Sequence, residues 1–419
     1  TLAGRRGERA LGQGEGVAHR AKQLGIYRER SWAWLASEVA ALARGLQGLG
    51  LEPGDRVAIM GDPCEEWVLA DYATQAAGAI SFGIYPTASP SETAYQLKHS
   101  GAKFFIAENQ EDGDEGRPLL AGWPEVRHVG VGDTTGMFMY DDARITAREE
   151  AIASGRARGE CSPDALAAMA QNVSPEDTAF IVYTSGTTGN PKGAVVGHGR
   201  HLAAAYNLVA HYPKLAEAGQ RIVIFLPLCH VLGRDAGITV PLLTDLVPHY
   251  GDSIEDFPQT CFEVAPTVLC TVPRYLQKFA SQILVGVENT SPLKRAIYDA
   301  ALSRGRAALG ALWEGRRPGL LYDILRFAAF RPMLSQLGLD KLELVLCGGS
   351  ALPRETTALW HVFGVNVCEM YGQTETAGGI IAGQRGPFPG PGNVGAAPAG
   401  WAFDFGENDE IRVTRGDLF

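Results

Sequence analysis

The segment Tyr183-Thr-Ser-Gly-Thr-Thr-Gly-Asn-Pro-Lys-Gly193 gathers hydroxyls, glycines and one lysine directly behind the apolar run Ala179-Phe-Ile-Val182. That order predicts a buried strand emptying into a loop that grips an anion. Gly186, Gly189 and Gly193 tolerate positive φ and let successive N–H groups converge on one charge. Thr184, Ser185, Thr187 and Thr188 add hydroxyls suited to phosphate oxygens or a magnesium ion, and Lys192 adds a full positive charge. Pro191 stiffens the exit. A P-loop would need Gly-x-x-x-x-Gly-Lys-Ser/Thr, but here Pro191 precedes Lys192 and Gly193 follows it, so the second glycine and the magnesium hydroxyl are missing. The bland alternative is a solvated Gly/Thr turn that binds nothing.

Three further constellations sit where a ligand of an open α/β sheet would lie, at the carboxyl ends of strands. Val367-Cys-Glu-Met-Tyr-Gly-Gln-Thr-Glu375 runs from an apolar stretch into a glycine-marked polar turn. An aromatic face suits a nucleobase and a hard carboxylate suits magnesium; the alternative is a tyrosine corner with a surface glutamate. Gly348-Gly-Ser-Ala-Leu-Pro353 follows the strand pattern Leu342 to Leu346, a common turn that carries little weight alone. Leu226-Pro-Leu-Cys-His230 ends on a histidine that, in an apolar run, is ordinarily a satisfied core residue. Cys229 and His230 form no dyad, because neighbours on a strand point to opposite faces.

Together these segments resemble, in order, the motifs of the adenylate-forming superfamily: acyl-CoA synthetases, luciferases and peptide-synthetase adenylation domains. The first matches the signature phosphate loop, the second the aromatic-Gly-x-Thr-Glu motif, the third a Gly-Gly-x-x-Leu turn and the fourth a Pro-Leu-x-His segment. The resemblance implies that Tyr371 stacks on adenine, Thr374 touches the α-phosphate and Glu375 holds Mg²⁺ together with Thr184. It places Gly349, Ser350, Ala351, Glu369, Met370, Gly372 and Gln373 around ATP beside Thr184 to Gly189 and Lys192. It places His230, Val231, Gly348, Gly349, Gly372 and Gly378 around the acid, and it makes Lys192, His230, Thr374 and Glu375 the catalytic set. The tail Asp409-Glu-Ile-Arg-Val-Thr-Arg-Gly416 resembles the family's Gly-Glu-Ile-x-Val-x-Gly strand, with Asp409 for the usual glycine. The family's following Thr-Gly-Asp, hinge and mobile C-terminal domain with a catalytic lysine are absent from this chain, so the expectation is the large N-terminal domain.

The elements that must position these residues follow the grammar of α/β folds. Leu35, Val39, Leu42, Leu46 and Leu49 recur at helical spacing before Pro53-Gly-Asp55, and Arg56-Val-Ala-Ile-Met60 reads as a strand. A helix near Trp67 to Ala77 and strands at 80–84 and 102–107 continue the alternation. Residues 108 to 175 read as loop and surface helix. Strands are expected near 222–226, 267–269 and 342–346, and the stretch from Ser291 to Leu337 reads as largely helical. After residue 383, Gly386-Pro-Phe-Pro-Gly-Pro-Gly392 marks a boundary. The expected fold class is α/β: two doubly wound α/β subdomains, over 1–178 and 179–382, and a small β-barrel-like subdomain over 383–419.

Bulk properties narrow the function. A length of 419 residues suggests two or three compact units. The formal charge of −10 and the lack of a basic stripe argue against a nucleic-acid partner. Seven scattered cysteines without Cys-x-x-Cys spacing suggest reduced thiols and a cytoplasmic setting. The greasiest stretch, Ile222 to Val247, is interrupted by His230, Arg234 and Asp235 and so does not read as a membrane span. The resemblance implies an acid:CoA ligase that uses ATP and Mg²⁺, passes through acyl-AMP and consumes CoA. The opening Gly25-Ile-Tyr-Arg-Glu-Arg-Ser-Trp32 and the segment Pro227 to Arg234 resemble long-chain fatty-acid ligases most. An aryl or alicyclic acid is the alternative substrate, and a carrier-dependent adenylation module or a non-catalytic nucleotide-binding protein is the alternative class. Peripheral membrane contact and a homodimer complete the expected partners.

Overall fold

The computed structural model describes residues 1–109, 126–131, 142–184 and 190–415. Two large twisted sheets organise it. The first runs in the order β7-β6-β5-β3-β4-β8-β9. Its members are β3 (Arg56–Met60), β4 (Ile80–Ile84), β5 (Phe104–Ala107), β6 (His128–Val131), β7 (Ile145–Ala147), β8 (Thr178–Thr184) and β9 (Lys192–Gly197). All its pairs are parallel except β8 with β9.

The second sheet follows the order β15-β14-β13-β12-β10-β11-β1-β2. It contains β1 (Val17–Gln23), β2 (Ile26–Ser31), β10 (Arg221–Ile224), β11 (Val247–Tyr250), β12 (Val268–Thr271), β13 (Leu344–Cys347), β14 (Val367–Gly372) and β15 (Ile380–Gly383). Strands β12 and β13 are buried along their whole length, the signature of parallel strands covered on both faces. Antiparallel hairpin partners close both edges. Beyond them, β16 (Trp401–Phe405) and β17 (Ile411–Arg415) form an antiparallel ribbon, the part of the small β unit that the described residues contain.

Sheet membership does not follow the boundary expected at residue 178. Strands β8 and β9 complete the first sheet, and the early β1–β2 hairpin completes the second. Parallel neighbours are joined by crossovers, so chain order says little about which sheet an edge strand joins. The stretch 108–175 also contributes β6 and β7, besides the expected surface helices Arg148–Arg158 and Pro163–Ala170.

Local signals explain where the helices start and stop. Ser31 accepts the Trp34 N–H at 3.1 Å and starts Trp32–Gly48. Ser89 and Glu92 form a capping box that starts Pro90–Ser100, which ends on Gly101 in the left-handed region. One continuous apolar core joins the two sheets.

Candidate active site

The phosphate-loop candidate hangs from a rigid hairpin. Thr184 faces Lys192 at the last step of the β8–β9 ladder, with the Thr184 hydroxyl 3.5 Å from the Lys192 carbonyl oxygen. Ser185, Gly186, Thr187, Thr188 and Gly189 lie outside the described residues. The Tyr183 hydroxyl donates to the Gln96 carbonyl at 3.4 Å and lies 2.9 Å from Nδ1 of His99, so helix Pro90–Ser100 fixes the strand just before the loop. Burial pushes the Tyr183 phenol up to about 12, so it stays a neutral strut. Lys192 is exposed.

At the carboxyl ends of the second sheet the other motifs converge. Strand β13 delivers the Gly348–Pro353 turn, whose start is tied by the Gly348 N–H to the Thr271 carbonyl at 3.1 Å. Gly349 adopts φ +84. Next door, β14 delivers Glu369 to Gly372. The Glu369 carboxylate accepts the Leu352 N–H at 2.9 Å and is buried, which raises it above the ordinary carboxylate range. Glu369, expected at ATP, is thus committed by this oxygen to holding the Gly-Gly turn in place. Gln384 supports it from β15's end, its side-chain oxygen accepting the Glu369 N–H at 2.8 Å. Met370 packs under Gly348, Tyr371 is half-buried, and Ser350, Ala351, Gly372 and Gln373 are exposed.

Beyond β14 the chain enters the 3₁₀ turn Thr374–Thr376, which borders β9. Lys192's strand and the Thr-Glu pair therefore share one rim, although they belong to different sheets. Thr374 is buried, whereas Glu375 is exposed and has no salt-bridge partner among the described residues.

His230 caps the short helix Val231–Arg234, its Nδ1 accepting the Leu232 N–H at 3.2 Å. This bond fixes the proton of the neutral ring on Nε2, and burial lowers the pKa to keep it neutral. The helix continues as a π turn, Asp235–Thr239, a distortion frequent at functional sites. A β-carbon on Gly378, which sits at φ +85, would fall 2.7 Å from Val231 Cγ2 and 3.0 Å from Asp235 Oδ2. The structure therefore brings Val231 and Gly378 into contact. Gly378→Ala is expected to destabilise the fold by about 1–3 kcal/mol, through overpacking and the left-handed backbone together. An unchanged urea midpoint would show that the turn yields freely.

Three residues that sequence reasoning passed over hold this region. His201 donates from Nδ1 to the Ala377 carbonyl at 2.8 Å, and its Nε2 accepts from the Thr239 hydroxyl at 2.7 Å. Burial drives its pKa down to about 4, consistent with that neutral tautomer. Asp235 lies 3.5 Å from the same Nε2, and burial pushes its carboxyl well above the usual range, which favours the neutral acid. Arg234 forms a fork on Asp71 with both bonds at 2.9 Å and lies 4.0 Å over the Phe180 ring. It thereby fastens the His230 helix to strand β8. The available signal was two charges inside an apolar run, which rarely survive burial unpaired.

Among the described residues no cluster of three or more His, Cys, Asp or Glu side chains could enclose a metal. A magnesium ion that keeps waters and phosphate oxygens needs only one or two protein ligands, so exposed Glu375 with the Thr184 hydroxyl is a donor set of fitting chemistry.

The chain matches the AMP-binding enzyme family over residues 8–407 and belongs to it. It is 28% identical over 399 residues to a long-chain-fatty-acid–CoA ligase of Mycobacterium bovis, an alignment covering 94% of this chain and 64% of that protein. A Xenopus laevis long-chain-fatty-acid–CoA ligase is 25% identical over 374 residues, covering 87% of this chain and 50% of the relative. The chain thus spans between half and two thirds of the length of these relatives. Among solved structures, an anthranilate CoA ligase in complex with anthranoyl-AMP superposes with a TM-score of 0.73 at 17% identity, over 98% of this chain and 67% of that one. A benzoate CoA ligase from Burkholderia xenovorans superposes with a TM-score of 0.71 at 18% identity, over 98% and 69%. At such identities the likeness is one of fold.

Proposed function

We propose that this chain is the nucleotide- and acid-binding part of an AMP-forming acid:CoA ligase, and that its acid is a long-chain fatty acid. The observation that supports the reading is the contact between the Lys192 strand and the Thr374–Thr376 turn, which brings together the elements that carry a cation, a hydroxyl and a carboxylate. The names of the relatives support the long-chain class.

A free carboxylate resists a thiol because it is anionic and would have to expel oxide. In the proposed reaction one carboxylate oxygen attacks the α-phosphorus of ATP and the bond to pyrophosphate breaks. The thiol sulfur of CoA then attacks the acyl carbon, loses its proton and expels AMP. Thr184 to Gly189 and Lys192 hold the phosphates, and Thr374 orients the α-phosphate. Tyr371 stacks on adenine against the Gly349-Ser350-Ala351 turn, which Glu369 anchors. His230 presents its Nε2–H toward the acid beside Val231, Gly348, Gly372 and Gly378. Glu375 and Thr184 would hold Mg²⁺, which when bound would supply charge neutralisation at the phosphates. Catalysis of the first step is positioning plus charge stabilisation.

The reading includes a cytoplasmic setting, supported by scattered thiols such as Cys229, Cys270, Cys347 and Cys368, which burial pushes up to about 12 and keeps unreactive.

Mass analysis of the full-length gene product with ATP, Mg²⁺, CoA and a mixture of fatty, aryl and alicyclic acids tests the proposal. Acyl-CoA from palmitate is expected. Acyl-CoA from benzoate-type acids alone would overturn the long-chain assignment, and acyl-AMP without thioester would point to a carrier protein as acceptor. Lys192→Ala is expected to raise the KM for ATP about tenfold or more, a lost charge-assisted contact, while the unfolding midpoint stays put because the side chain is exposed. Unaltered ATP dependence would remove Lys192 from the phosphates.

A further inference from the structure

The helical stretch Pro273–Gln336 combines a charge and an apolarity that the rest of the chain lacks. It holds ten basic and four acidic side chains, a net of +6 within a chain of −10. Eight of the eighteen large apolar side chains exposed among the described residues also fall here, including Val285 at 57%, Leu293 at 72%, Leu320 at 76% and Phe327 at 62% exposure. Leu320, Ile324 and Phe327 recur at i, i+4 and i+7, so they form one stripe along helix Leu320–Leu325 and the π turn that continues it.

The stretch's own ion pairs are Arg316 with Glu314 and Arg331 with neighbouring Asp340. Lys278, Lys294, Arg295, Arg304, Arg306 and Arg317 are exposed, with no salt-bridge partner among the described residues. Between helices Pro273–Glu288, Pro292–Trp313 and Arg331–Gln336 lies a groove of about 310 Å³ whose walls combine Ile283, Val287, Ile297 and Met333 with Lys294.

We infer that this helical face docks on an anionic lipid bilayer surface. Exposed apolar groups interspersed with unpaired cations are what a negatively charged membrane interface rewards, the first by insertion and the second by attraction to headgroups. A second copy of the chain is a poor occupant, because +6 would face +6. A nucleic acid would leave Leu320 and Phe327 uncovered. The remaining −16 of the chain favours the orientation in which this face meets an anionic surface. Among the described residues no helix is long and apolar enough to cross a membrane, so this contact is one with the surface. The inference extends the fatty-acid reading by naming where such an acid would be collected, yet vesicle binding requires no turnover and is judged separately from it.

Co-sedimentation of the chain, without ATP or acid, with vesicles of phosphatidylcholine with or without phosphatidylglycerol is the test. Binding is expected on the anionic vesicles, background on the neutral ones, and release as salt rises. Lys294→Gln with Arg295→Gln should weaken binding about 30-fold, from about fivefold for each charge. Leu320→Ser with Phe327→Ser should weaken it about tenfold or more. Each altered side chain is exposed, so urea midpoints should hold; if either pair unfolds the chain, Arg304→Gln with Arg306→Gln replaces it. Equal binding to both vesicle types would overturn the inference. So would binding that neither pair weakens, or a dimer in light scattering that the pairs dissociate.

Discussion

Glu375→Gln is expected to lower magnesium-dependent acyl-AMP formation by about 100-fold or more, a loss of about 3 kcal/mol of transition-state stabilisation. The substitution is isosteric, so it removes a charge and leaves the shape. Glu375 is exposed in a 3₁₀ turn and makes no salt bridge among the described residues, so the urea midpoint should not move. ATP–pyrophosphate exchange in the full-length gene product, followed across magnesium concentrations, gives the reading. A carboxylate that holds the ion predicts that excess magnesium recovers part of the rate. An unchanged rate would remove Glu375 from the site, and a fall that magnesium does not relieve would give it another role.

Asp71→Asn should destabilise the fold by about 3–5 kcal/mol, more than Arg234→Met does. Asp71 is fully buried and accepts both Arg234 bonds, the Ser81 hydroxyl at 2.5 Å and the Gln75 amide at 3.1 Å. A second buried guanidinium, Arg6, bonds to the same Gln75 at 2.7 Å and lies 3.6 Å over the Tyr72 ring. The cluster therefore holds two arginines for one carboxylate, and burial already lowers the Arg6 pKa to about 10. Neutralising the carboxylate strands both cations, whereas removing Arg234 leaves Asp71 with Arg6 still nearby. Urea unfolding of the two single variants and the double variant measures the asymmetry. If Arg234→Met costs as much as Asp71→Asn, charge imbalance is not what governs the cluster.

The parts of this molecule that the sequence made legible are those where local pattern and burial agree. Strands β3 and β4 fall on the expected residues, because fully covered parallel strands are short apolar runs bounded by turn signals. The Gly348–Pro353 turn and Tyr371 to Glu375 follow strands as anticipated, since motifs that follow a strand must emerge at its carboxyl edge, whereas Cys229 and His230, expected as strand neighbours, lie in the turn between β10 and the helix Val231–Arg234. What stayed hidden depends on distant partners. Nothing local to Val17–Ser31 says that it pairs beside Val247–Tyr250, and nothing local to Asp71 announces Arg234, 163 positions away. His201 and Gln384 likewise act through backbone groups more than a dozen positions off.

The crossing of chain order by sheet membership has a mechanical consequence. Lys192 rides on one sheet and Tyr371 on the other, with Thr374 in the turn just beyond it. A nucleotide held at both ends would therefore act as a rivet across the seam, loading the joint between two halves that otherwise meet through apolar packing and a few buried polar clasps. Opening the seam would cost the ligand, and losing the ligand would loosen the seam. Heat should then part an empty protein along this junction before it melts either half.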